Sequence, residues 1–80
     1  MKRKFYAIYD KLAARYTYLF ESENNATATR LFQGEATREG GVINQSPEDF
    51  KLCAVGEFDD LNGEFTNKFE KVCDAIKQEG

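Results

Sequence analysis

Eighty residues, 41% of them apolar and eleven of them Phe or Tyr, are enough for one small domain with the aromatic bulk to close a core. That aromatic content at a net charge of −3 excludes a disordered chain, and no apolar run approaches the roughly 20 residues that cross a bilayer. The absence of His, with Cys53 and Cys73 as the only cysteines, excludes Ser-His and Cys-His nucleophile pairs and leaves a zinc site short of ligands.

Taken in chain order, Lys4 to Asp10 reads as a strand, with Phe5, Ala7 and Tyr9 on one face and Tyr6 and Ile8 on the other. Arg15 to Phe20 alternates again and predicts Tyr16, Tyr18 and Phe20 on one side, joined to the first strand through a Lys11–Ala14 hairpin turn. The Ser22-Glu23-Asn24-Asn25 cluster favours a helix cap. Ala28, Leu31 and Phe32 follow at helical spacing, with an end near Gly34 or as late as Thr37. Residues 37–45, broken by Gly40-Gly41, read as a flexible loop.

Ser46-Pro47-Glu48-Asp49 is a helix-start signature that can drive only one turn, because Phe50 opens another strand. In that strand, Phe50 to Phe58, alternation places Phe50, Leu52, Ala54, Gly56 and Phe58 together. Asn62-Gly63 then predicts a type I′ hairpin turn and a short second arm. Phe69, Val72, Cys73 and Ile76 fall on one helical face, predicting an amphipathic helix over 69–78 with Lys77 near its cation-favouring end. The expected fold class is α+β. A small antiparallel sheet of three to four strands, in the order β-β-α-β-β-α, is covered on one face by helices in a single domain over 1–80.

The chemistry reads as binding rather than catalysis. The adjacent acids Glu48-Asp49 and Asp59-Asp60 diverge on a strand or sit in water, and an acid is missing from the first and last ligand positions of any calcium loop around Gly63. No enzyme activity, cofactor or metal is expected. Charge is uneven: residues 1–30 carry six basic and three acidic side chains, whereas residues 31–80 carry five and eleven. A single-stranded nucleic acid is therefore one candidate partner. Lys2, Arg3, Lys4, Lys11, Arg15 and Arg30 would hold phosphates, and Tyr16 and Tyr18 would stack on bases beside Lys4 and Tyr6. The alternative for Tyr16, Tyr18 and Phe20 is the core face under the helix. The two cysteines read as reduced, mostly buried thiols, and the basic N-terminus lacks the apolar stretch of an export signal.

Three segments also carry a resemblance: Phe5 to Lys11, Asn24 to Phe32, and Ser46 to Asp59, of which the block from Pro47-Glu48-Asp49-Phe50 to Gly56-Glu57-Phe58-Asp59 is the most specific. In order and spacing they resemble the small nonstructural protein of gokushoviruses, single-stranded DNA phages of the microvirus family. The resemblance implies a nonstructural phage accessory protein of the host bacterial cytoplasm. It would bind single-stranded DNA and act in genome replication or in the switch to packaging. Two further expectations accompany it: a homodimer, and an alternative role as an interaction module for a host or phage replication protein, with no membrane partner.

Overall fold

The fold is described from a computed structural model over residues 1–76. Its elements are β1 (Lys2–Asp10), β2 (Arg15–Ser22), α1 (Asn25–Thr37), a single helical turn α2 (Val42–Gln45), a 3₁₀ turn (Pro47–Asp49), β3 (Phe50–Asp59) and β4 (Phe65–Asp74). The four strands form one antiparallel sheet in the order β2-β1-β3-β4. It is an α+β fold in which one main helix lies between β2 and β3 in the chain.

Local chemistry explains most boundaries. Asp10 Oδ1 accepts bonds from the Leu12 and Ala13 amides, shaping the β1–β2 turn, and Ala14 takes φ +56° to close it. Asn24 caps α1 by accepting from the Thr27 amide at 2.9 Å. Residues 37–45 contain α2, and Asn44 Nδ2 holds that turn against α1 by donating to the Ala36 carbonyl at 2.8 Å. Pro47 starts its single turn and Phe50 opens β3 as expected, although the Ser46 side chain makes no cap bond. Asn62-Gly63 lies in the β3–β4 loop, but only Gly63 is left-handed (φ +78°), so the connection is not type I′. It is tied by Asp59 N–H to the Glu64 carbonyl and Gly63 N–H to the Asp59 carbonyl, both 2.8 Å.

The core lies between the sheet and α1. Tyr6 and Ile8 from β1, Phe50 and Leu52 from β3, and Ala28 and Phe32 from α1 are all buried. Each large side chain removed from water there stabilises the fold by roughly 1.5–3 kcal/mol. Tyr6 is only 1% exposed, and its hydroxyl is satisfied by donating to Asn25 Oδ1 at 2.7 Å.

Three further expectations are corrected, two of them by β-bulges. The segment predicted as a C-terminal helix is strand β4 as far as Asp74, and residues 77–78 of that prediction lie outside the described residues. β4 carries extra residues opposite Leu52/Cys53 and opposite Ala54/Gly56. The apolar residues of β4 are divided between the two faces, Cys73 toward α1 and Phe69 away from it, so their spacing of three and four does not mark one helical stripe. Val55 is unpaired between Phe5↔Gly56 and Tyr6↔Ala54. Phe50, Leu52 and Ala54 therefore face α1, whereas Gly56 and Phe58 face away. Thr17 is unpaired between Ile8↔Tyr18 and Tyr9↔Tyr16. Tyr16 and Tyr18 accordingly stand on opposite faces.

Candidate nucleic-acid interface

The face of the sheet turned away from α1 has nothing packed on it among the described residues. β1 contributes Arg3, Phe5, Ala7 and Tyr9 to it, and the register places Leu19, Glu21 and Tyr16 of β2 beside them. From the other side come Lys51, Cys53, Gly56 and Phe58 of β3, then Phe65 and Lys71 of β4.

The rings form two groups. Tyr9 and Tyr16 lie 4.7 Å apart between centroids, and Phe69 meets Tyr16 edge-on at 5.9 Å. Phe5 and Phe65 form a tilted pair at 5.9 Å. The second group depends on Gly56. A Cβ at that position would lie 2.6 Å from Phe65 Cζ and 2.7 Å from the Thr66 carbonyl oxygen, so only glycine lets the ring lie on the sheet. These groups remain open to water: Tyr16 is 47% exposed, Phe65 50% and Phe69 60%.

Charge around the rings is mixed. Lys51 Nζ sits 5.1 Å from the Tyr9 ring centroid, in cation–π range. Lys71 pairs with Asp74 at 2.9 Å, which raises the Lys71 pKa and lowers that of Asp74. Arg3 and Glu21 form a two-bond pair whose hydrogen bonds raise the arginine pKa and hold the carboxyl below its ordinary value. Burial raises the Tyr16 pKa, followed by the neighbouring Cys53 and Tyr9. The Cys53 thiol is fully covered, and burial raises its pKa too. Cys73 pairs with Leu52 and faces α1, within 3.9 Å of Thr29 Oγ1. The two thiols thus stand on opposite faces, and both are free.

The residues expected from sequence are not brought into one patch. Arg3 and Tyr16 are on the open face. Lys2 and Lys4 stand on the helix side near Glu57, whose pKa is lowered chiefly by its hydrogen bond to Lys68 and further by Lys2 and Lys4. Lys11 lies in the β1–β2 turn, roughly 23 Å along the strand from Lys4, with its Nζ donating to the Glu48 carbonyl. Arg15 pairs across from Asp10 on the helix side, and Arg30 is exposed on α1. Tyr18 lies tilted against Phe20 on the helix side, and Tyr6 is in the core. Sequence reading missed Phe5, Tyr9, Phe65, Phe69, Lys51 and Lys71. The available signal was the excess of aromatics over what one core face can bury.

The architecture is a small α+β module: an antiparallel sheet with one main helix packed on one face and aromatic rings exposed on the other. No helix among the described residues is long and apolar enough to cross a membrane. The chain matches the family described as phage ORF5 protein over residues 3–78, and it belongs to that family. No curated protein and no solved structure matches it.

Proposed function

We propose that this phage protein binds single-stranded DNA on the open face of its sheet. The observation that carries the reading is the set of five rings, Phe5, Tyr9, Tyr16, Phe65 and Phe69, on one uncovered surface with Lys51, Lys71 and Arg3 among them. Unstacked bases offer flat apolar faces to such rings, each stack contributing about 1–3 kcal/mol. The cations would hold the backbone while base edges stay unread, so binding would be sequence-tolerant. The role extends to that of a nonstructural accessory protein of a gokushovirus, acting in the host cytoplasm on genome replication or on the switch to packaging.

The interface differs from the one expected from sequence alone. Tyr16 stays in it, Tyr18 leaves it, and the phosphate contacts move to Lys51 and Lys71. Both edge strands are bulged, which opposes dimerisation by strand addition. The test is fluorescence anisotropy of a labelled oligothymidylate across a salt series. Two to three neutralised phosphates predict a log–log slope of about −1.4 to −2. Tyr16→Ala and Phe69→Ala weaken binding and Tyr18→Ala leaves it unchanged. Equal affinity in all three folded variants would count against the reading.

A further inference from the structure

The helix side of the sheet is only half covered. α1 is tethered toward the β4 edge: Gln33 Nε2 donates to the Asp74 carbonyl at 2.8 Å, and Gln33 Oε1 accepts from the Ile76 amide at 2.8 Å. Asn25 Nδ2 reaches Glu70 on the same strand. Four strands span roughly 14 Å between outer axes, whereas one helix is only about 10–12 Å across with its side chains. The β2 side is left without a cover. What remains there is an apolar groove of about 550 Å³ between β2 and the α1–α2 wall, floored by Ile8, Phe20 and Phe32. Its rim is formed by Tyr18, Leu31 and Val42, which are 63%, 55% and 70% exposed.

The ionisable residues lining the groove are Asp10, Tyr18, Glu21 and Glu35, and no Lys or Arg lines it. Glu21 turns its carboxylate to the other face, where Arg3 holds it, so the carboxylates at the groove are Glu35 and Asp10, the latter with Oδ1 already accepting from the Leu12 and Ala13 amides. Arg15 stands opposite Asp10 in register, and Arg38 pairs with Glu35 at 3.0 Å. Both arginines are exposed, and exposed pairs are worth at most about 1 kcal/mol, so a partner's cation can displace them.

We infer that this groove docks an amphipathic α-helix of a partner protein, its apolar face on Phe20, Leu31 and Val42 and its basic flanks beside Asp10 and Glu35. The docked helix completes the cover that α1 supplies over only half the sheet. The site is independent of the open aromatic face. A protein partner and a DNA strand could be held at once on the two faces.

The test uses a fluorescein-labelled, 18-residue helical peptide of Leu and Lys with all Leu on one face, and a Leu/Glu counterpart. Anisotropy is followed against wild type, Leu31→Glu, Val42→Glu and Phe69→Ala, each confirmed folded by circular dichroism. The Leu/Lys peptide binds in the micromolar range and the Leu/Glu peptide at least tenfold more weakly. Leu31→Glu and Val42→Glu each weaken the Leu/Lys peptide at least tenfold although they add negative charge, whereas Phe69→Ala changes nothing. The inference is overturned by any of four results: no binding, equal binding of both peptides, Leu/Lys binding unchanged or strengthened by Leu31→Glu, or self-association of the wild type that Leu31→Glu abolishes. That last result would give the groove to a second copy. Oligothymidylate binding by Leu31→Glu stays at the wild-type level, so failure here is separate from failure of the DNA reading.

Discussion

Gly56→Ala probes the link between the fold and the open face most sharply. The added Cβ would meet Phe65 Cζ at 2.6 Å and the Thr66 carbonyl oxygen at 2.7 Å. The first contact can be relieved by rotating the ring off the sheet, but the second is backbone and requires β3 and β4 to part locally. Overpacking of this kind costs about 1–3 kcal/mol. Displacing Phe65, already half exposed, forfeits roughly another 1 kcal/mol of burial and its tilted pairing with Phe5. Replacing glycine in a strand returns about 0.5–1 kcal/mol through the unfolded chain. The net expectation is a destabilisation of about 1.5–3 kcal/mol, read as a lowered midpoint in urea unfolding at unchanged slope. A change below about 0.5 kcal/mol would show that Phe65 does not rest on Gly56, and the account of that part of the face would fail.

Tyr6→Phe removes the bond to Asn25 Oδ1 while keeping the buried ring, so stability falls by about 1 kcal/mol in the same assay. In the native protein Cys53 resists alkylation by a thiol reagent and Cys73, half-buried, reacts slowly. No intramolecular disulfide forms under mild oxidation, because the two side chains leave the sheet on opposite faces; mass spectrometry reads both. Glu21, Glu57 and Asp74 have pKa values below their ordinary ones, chiefly through hydrogen bonds from Arg3, Lys68 and Lys71. Their contribution is therefore present above the ordinary carboxylate range and is lost as pH falls through the lower folded values. Thermal melts should drop on acidification, less so in Glu21→Gln and less at high salt, since the Arg3–Glu21 and Lys71–Asp74 pairs are exposed and only Glu57 is partly covered.

Much of this fold is legible in the sequence because local chemistry decides it. The β1–β2 turn, the Asn24 cap and the Pro47 turn each follow from a few neighbouring residues, whereas which face of β1 is buried does not, since both are apolar. The faces of β2, β3 and β4 do not, because each strand carries a bulge. A bulge needs no particular residue type, since it is set by the register that partner strands impose. Val55 and Thr17 look like ordinary strand residues, yet each inverts everything beyond it. In β4 the apolar residues Phe69 and Cys73 serve opposite faces, and their spacing imitated a helical stripe. The Phe and Val content of that stretch, and its Thr66, were the signals for a strand. The candidate site was correspondingly half legible: Tyr16 and Arg3 are on it, whereas Phe65 and Phe69 were assigned to the hairpin arm and the helix.

The most direct test of the central claim is chemical-shift mapping of the isotope-labelled protein during titration with oligothymidylate. The account predicts perturbations at Phe5, Ala7, Tyr9, Tyr16, Lys51 and Phe69, with Leu31 and Val42 on the helix side unmoved. No perturbation at low salt, or perturbation confined to the helix side, would contradict it.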